Sequence, residues 1–304
     1  MNQSLVTILT APKPFVDQHI KMIQTNALWS WKALGSMVDI IVLGNDKGIK
    51  EAARSLSFSH FPDVKCNDNG TPLISSMLEI GRRESQSPFL AIVNTDIILF
   101  PDFTQALGNV SKHKEKFLII GQRWDMDVLD EVGENESDFA KFRQRVPLEA
   151  NLHPPTGSDY FIFPRICYQS IPDLAIGRAG WDNWFIYKSR WEGWSVVDGS
   201  QDVTIVHQSH DYGHLPGGKP HYRLPETKKN VIMGGGEHTI FSLLDAQIVL
   251  KNGKLVNKKL TLQKFFREIE IFPLTNKRSN FFGKLFFYLF HPKKAYSMLR
   301  RSIK

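Results

Sequence analysis

FLAIVNTDIILF, residues 89–100, sets three polar residues inside an apolar run. A strand buried on both faces normally reads as a continuous apolar segment and has no use for Asn94, Thr95 and Asp96. The stretch is therefore expected to be a strand of a buried parallel sheet that brings polar groups to its carboxyl end. In open α/β sheets that is where ligands bind. A carboxylate there, Asp96, is placed to hold a divalent cation, which can neutralise a diphosphate. The competing reading is an ordinary turn, since Asn, Thr and Asp are common turn residues.

The flanking sequence supports the sheet. SLVTILTA (4–11) is a β-rich run stopped by the prolines of PKPF. Residues 16–34 carry Ile20, Ile23, Ala27, Leu28 and Trp31 at helical spacing. VDIIVLG (38–44) reads as a buried strand ended by the turn residues GNDKG, followed by a short helix over 49–56. NDNGTP (67–72) is a loop, 73–84 a helix and FLIIG (117–121) another strand. Alternating strands and helices to about residue 120 predict a mostly parallel sheet flanked by helices. Beyond it, an acidic stretch from Asp125 to Asp138 gives way to a basic one ending at Arg145. SDYFIFP (158–164) is strand-like, 181–191 helix-like, and WSVVDGSQDVTIVHQ (194–208) strand-like. Residues 241–255 suggest a short strand or helix.

Composition narrows the function classes. With 42% hydrophobic and 23% charged residues, a packed core is the expectation and disorder is not. The two cysteines, Cys66 and Cys167, form no disulfide or zinc framework and fit a reducing cytoplasm. Neither a secretory signal nor a membrane-spanning run is evident. The net charge of +7 permits nucleic acid, anionic lipid or phosphate-bearing ligands. No nucleic-acid-binding motif is present, so nucleic acid is not an expected partner.

Three further segments carry chemistry. GRAGWDNW (177–184) frames Asp182 with Trp181 and Trp184. A carboxylate beside indole rings is partly desolvated and becomes a stronger base, and an Asp near a helix start can equally act as a cap; both roles stay open. HQSHDYGH (207–214) spaces His207, His210 and His214 three and four apart around Asp211. Imidazole is a common metal ligand, although loop histidines also bond to the backbone. MGGGEHT (233–239) lacks the spacing of a dinucleotide fingerprint and reads as a mobile glycine loop.

The segment IVNTDIILFPDF resembles the metal-binding Asp-x-Asp strand of GT-A glycosyltransferases, with Asn94 where many members have the first Asp. TAPKPF, IQTNALWSW, IIVLGNDKG, NGTPLISS, GQRWDMDV, GSDYFIFPR, IGRAGWDNWFIY, VHQSHDYGH and GGGEHTIFSLLDA, in this order and spacing, resemble bacterial family-2-like members. The resemblance implies a single α/β GT-A (Rossmann-like) domain over residues 1–250. Residues 1–120 would be its nucleotide-binding half and 121–250 its acceptor and metal half, with a C-terminal extension over 251–304. It implies that Thr10, Ala11, Pro12, Asp46, Asn69, Asn94, Thr95 and Asp96 surround a nucleotide-diphospho-sugar. Asp96 with a late histidine, His207 first and His210 second, would bind Mn2+ or Mg2+. Asp182 would be the catalytic base of an inverting transfer, and Trp124, Asp159, Trp181 and Trp184 would meet the acceptor and donor sugars. A retaining transferase, a metal-dependent hydrolase and a non-catalytic nucleotide-sugar-binding module are the alternatives.

The last segment differs from the rest. In NFFGKLFFYLFHPKKAYSMLRRSIK (280–304), Phe281, Phe282, Leu285, Phe286, Leu289 and Phe290 share a helical face, and Lys293, Lys294, Arg300, Arg301 and Lys304 follow. Ten residues are too few to span a bilayer. An aromatic face beside a basic segment suits an anionic membrane surface, and packing on the domain or on a second subunit is the alternative. The expected setting is the inner face of the cytoplasmic membrane, acting on a lipid-linked or surface-polysaccharide acceptor.

Overall fold

The computed structural model describes residues 3–210, 222 and 224–302. The chain runs β1 (Val6–Thr10), α1 (Gln18–Lys32), β2 (Val38–Leu43), α2 (Ile49–Leu56), β3 (Ser59–Phe61), α3 (Ile74–Glu84), β4 (Phe89–Val93), β5 (Ile97–Leu99) and α4 (Asp102–Ser111). It continues through β6 (Phe117–Ile120), β7 (Trp124–Met126), α5 (Glu136–Glu149), β8 (Asn151–Leu152), β9 (Tyr160–Pro164), α6 (Trp181–Glu192), β10 (Ser195–Asp198) and β11 (Ile205–Gln208). The last elements are α7 (Pro225–Met233), β12 (Ile248–Lys251), β13 (Lys254–Asn257), α8 (Leu262–Thr275), α9 (Asn280–Phe290) and α10 (Pro292–Ser302).

Nine strands form the central sheet in the order β13-β12-β10-β6-β9-β4-β1-β2-β3. Pairing is parallel except around β9 and between β12 and β13. The class expected from sequence, α/β with a mostly parallel sheet flanked by helices, is the one observed. Its strands read as apolar runs because both faces are covered. Leu9, Ile41, Ile92, Leu118 and Phe161 point into one core with residues of α3, α6 and α8. Their neighbours Ile8, Ile40, Ala91, Ile119 and Ile162 point into the other with residues of α1, α2 and α4. α3 lies so close to the sheet that a Cβ on Gly81 would sit 2.6 Å from Leu9 Cδ1.

Residues 89–100 are not one strand. β4 stays in the central sheet, but β5 pairs antiparallel with β11 in a second sheet ordered β5-β11-β7-β8. The polar triplet is where the chain passes from one sheet to the other. The crossing is tied down on both sides: Trp31 Nε1 donates to Ile97 O at 2.9 Å and Gln208 N to Asp96 O at 3.1 Å. The small sheet has its own core with α5, built on Ile98, Phe100, Met126, Phe139, Phe142 and Val206.

The boundary expected at residue 250 falls inside the β12–β13 hairpin. Because β12 pairs in parallel with β10, the central sheet continues to Asn257. The helices after it pack back on the body, where Ile271 and Leu274 of α8 join the core beneath α6. No helix among the described residues is long and apolar enough to cross a membrane.

Candidate active site

A cleft of about 1320 Å³ opens at the carboxyl ends of β1 and β4, beside the end of β11 and the start of α6. It exceeds the roughly 300–1,000 Å³ of an ordinary small-molecule pocket, which leaves room for two substrates. Its wall includes Ala11, Pro12, Asp46, Asn69, Asn94, Asp96, Asp159, Trp181, Asp182, His207 and His210 from the sequence-derived set.

Strand register builds the centre of the site. His207 pairs with Ile97 across β5–β11, one residue from Asp96, and with Asp125 across β11–β7. Asp96, His207 and His210 each offer a ligand atom within 4.8 Å of the others. His207 Nδ1 lies 3.0 Å from Asp125 Oδ1. With the carboxylate accepting, Nδ1 carries the proton and Nε2 keeps its lone pair for a ligand, the usual support of a metal-bound imidazole. Asp125 Oδ2 is 2.7 Å from His153 Nδ1, and Arg123 Nε donates to Asp125 Oδ1 at 2.8 Å. His210 Nε2 is 3.2 Å from Asp96 Oδ2, and Lys13 Nζ is 3.0 Å from the same nitrogen and 3.5 Å from the same oxygen.

These residues fit a divalent cation. Asp96 Oδ1 is buried and has no hydrogen-bond partner among the described residues, an arrangement that is costly unless a cation or water completes it. Burial alone would raise the Asp96 carboxyl. The His210 hydrogen bond and the charge of Lys13 oppose it, and the group is held well below the usual carboxylate range. Asp125 is held low in the same way, burial being opposed by His207, Arg123 and His153. Both are thus anionic at neutral pH.

Asp182 behaves in the opposite sense. It sits in the first turn of α6, whose N-cap is Gly180 at φ +105°, a conformation that favours glycine. Its Oδ1 accepts from Gly180 N at 3.0 Å, so it does satisfy a backbone donor at the helix start. Burial nevertheless pushes its carboxyl up to about 6, helped by the nearby charge of Asp159, while backbone donors at Asn183 and Gly180 oppose the rise. A carboxylate that titrates there can both accept a proton near neutrality and order the turn that holds it.

Several sequence-derived residues serve the scaffold. Thr10 is fully buried; its hydroxyl donates to Val93 O at 2.9 Å and lies 2.7 Å from Thr95 Oγ1, fastening β1 to the start of the triplet. Asp159 accepts from Asn94 Nδ2 at 2.8 Å through one oxygen and from Arg123 Nη1 at 2.7 Å through the other. Trp184 and Trp124, expected against the sugars, do not line the cleft. Trp184 is 6% exposed and packs on Phe185 and Tyr168; Trp181, one turn earlier on the same face, is in the same core and also borders the cleft. Trp124 packs on the core of the small sheet. Asp211 and His214 lie outside the described residues.

Sequence reasoning missed Lys13, Ser158, Arg178, Glu226 and Asn230. Ser158 borders the cleft with a buried hydroxyl that has no partner among the described residues. Glu226, in the first turn of α7, binds Asn67 Nδ2, Thr71 Oγ1 and Arg178 Nε at 2.6–2.8 Å. Asn230, fully buried one helical turn on, exchanges hydrogen bonds with Ala175 at 2.9 and 3.0 Å. Together they pin residues 175–178, just ahead of Asp182, to the loop holding Asn69. An acid at a helix start (Glu226) was visible in the sequence; its partners, more than 150 residues away for Asn67 and Thr71, were not.

No family model matches this chain, and no curated protein matches it. Among solved structures it is similar to glucosyl-3-phosphoglycerate synthase from Mycobacterium tuberculosis in complex with phosphoglyceric acid, at 12% identity and TM-score 0.43 over 78% of this chain and 79% of that one. The structure of that synthase with Mg2+ and UDP scores 0.43 at 12% identity over 68% and 72%. A mycobacterial protein scores 0.42 at 15% identity over 85% of each chain. At these values no residue role passes from those proteins to this one.

Proposed function

We propose that this protein is a GT-A-type glycosyltransferase that moves a sugar from a nucleotide-diphospho-sugar to an acceptor hydroxyl with inversion. The observation that carries the proposal is the Asp96–His207–His210 cluster at a strand's carboxyl end, sharing one cleft with a carboxylate, Asp182, that titrates near 6. A divalent ion held by those three side chains would supply positive charge to the departing diphosphate. Mg2+ favours all-oxygen ligands, so two imidazoles make Mn2+ the better candidate of the two. Lys13, beside Asp96, adds a second positive charge on the same side.

The acceptor hydroxyl would give its proton to the Asp182 carboxylate as its oxygen attacks the anomeric carbon. The bond from that carbon to the diphosphate oxygen breaks, and the electron pair leaves with the diphosphate. Asp125 and His153 hold His207 in its ligand tautomer. Arg123 and Asp159 fix Asn94 in the cleft wall beside Asp96, where it would meet the donor. Asp46 and Asn69, exposed at the rim, would meet the nucleotide. The acceptor is read as a lipid-linked or surface-glycan saccharide, met at an anionic membrane surface on the inner side of the cell.

A thermal-shift series of nucleoside diphosphates and nucleotide-sugars with and without Mn2+ tests the reading. A rise in melting temperature that needs both ion and nucleotide is expected. No shift with any nucleotide would remove the donor site.

A further inference from the structure

α8 and α9 pack directly on each other: Gly283 lies against Leu274, leaving no room there for a side chain. Each turns an apolar stripe away from the body. On α8, Leu262, Phe265, Phe266, Ile269 and Phe272 recur every three or four residues and are exposed, while Ile271 and Leu274 face inward. On α9, Phe281, Phe282, Leu285 and Leu289 are exposed, and Phe287 faces inward. Isolated exposed apolar residues are ordinary; repeated stripes on neighbouring helices mark an interaction surface.

The charge around the stripes is mostly positive, with the exposed Glu237 paired to Lys294 at 2.8 Å. Residues 271–304 contain eight Lys and Arg and no Asp or Glu. The two acids of α8 are engaged with the body or within the pair: Glu268 with Arg190 at 2.8 Å, and Glu270 with Arg267 at 2.9 Å and His291 at 3.1 Å. Lys277, Arg278, Lys284 and Lys293 remain exposed beside the aromatic side chains. A second copy of this chain, paired about a two-fold axis, would set this basic face against itself. An anionic bilayer complements it.

We propose that α8 and α9 together form a docking platform for an anionic lipid bilayer, with the aromatic stripes in the interface and the basic residues among the headgroups. This deepens the membrane part of the proposed function, and the docking itself stands independently of sugar transfer. α6 links the platform to the cleft. It begins with Trp181 and Asp182, and further along Tyr187 Oη donates to Asn280 at 3.2 Å and Arg190 pairs with Glu268.

Flotation of the full chain on vesicles of phosphatidylcholine, with and without phosphatidylglycerol, tests this. The wild type is expected to float with phosphatidylglycerol, to float at least about tenfold less without it, and to be partly released by high salt. Phe265→Ser/Phe272→Ser on α8 and Phe281→Ser/Leu289→Ser on α9 should each lower the bound fraction about tenfold or more, the partition one buried aromatic can contribute. Melting temperature and nucleotide-dependent shift should stay as in wild type. A wild type that does not float overturns the proposal without any variant. So does an α8 variant that floats unchanged, or a wild-type dimer in sedimentation velocity that the variants convert to monomer. Nucleotide shifts that persist while flotation fails would leave the donor site standing, and the reverse would sink the sugar-transfer reading alone.

Discussion

Replacing Asp182 with Asn separates its two roles. The amide oxygen can still accept from Gly180 N, so the helix start is kept, but the proton acceptor is gone. Loss of a general base should lower turnover about 10²–10⁴-fold with donor affinity unchanged. The same change should stabilise the fold. The carboxyl rises from its ordinary 3.8 to about 6 in the folded state, mainly through burial. Below pH ~4 it is protonated folded or unfolded, and wild type and variant should be equally stable. As pH rises towards 6 the unfolded chain ionises first, and the folded wild type loses stability relative to the neutral Asn. The interval corresponds to about 3 kcal/mol at about 1.4 kcal/mol per pH unit, discounted to ~2 kcal/mol for water reaching the cleft. That is about 3 °C in melting temperature for a chain this long. Melts of both proteins from pH 3.5 to 8, with release of nucleoside diphosphate as the activity assay, would show it. Equal melting temperatures across the range would refute the desolvation argument, and turnover within about threefold of wild type would refute the base.

Asp96→Ala should abolish metal-dependent nucleotide binding in isothermal titration with Mn2+ while leaving the circular dichroism spectrum unchanged; undiminished affinity would remove Asp96 from the metal site. Asp125→Asn touches no ion, yet by loosening the His207 tautomer it should weaken Mn2+ binding about 10–100-fold. Affinity within about twofold of wild type would count against the relay. Gly81→Ala drives a methyl group into Leu9 and should cost roughly 1–3 kcal/mol in urea unfolding. An unchanged midpoint would mean that α3 can move off the sheet.

The parts of this protein that could be read from its sequence are those whose signal is local. Apolar runs such as FLII (117–120) and VDIIVL (38–43) must be buried on both faces, and they are strands of the central sheet. The 49–56 helix was legible to the residue because Ile49, Ala53 and Leu56 mark one buried face between glycine and serine stops. α8 is not read from the sequence, and its periodicity misplaces its core side. Its apolar stripe, Leu262, Phe265, Phe266, Ile269 and Phe272, lies on the exposed side, and Pro273 stands within it, so periodicity points to the wrong face as core. Asp96, His207 and His210 could be picked out as chemistry-bearing types, but their convergence depends on β5 leaving the sheet of β4, which apolar periodicity cannot distinguish from one long strand. Lys13, Arg123 and Glu226 act through partners brought near only by folding. Trp184 and Trp124 misled because the bulk of a tryptophan serves a core at least as often as a ligand: both pack into cores, whereas Trp181 borders the cleft.

The passage from β4 to β5 has a mechanical meaning. Asp96 belongs to the crossing, while His207 belongs to the small sheet and Thr95 is fastened to β1 of the large one. Any ligand that joins Asp96 to His207 is therefore a cross-link between the two sheets, and its binding free energy is added to the apolar contact that Ile97, Leu99 and Ile205 already make in the core of the central sheet. At a hundred times its dissociation constant a ligand contributes about 2.7 kcal/mol. Amide-proton exchange in β5, β7 and β11 would then be slowed together when the ion is bound.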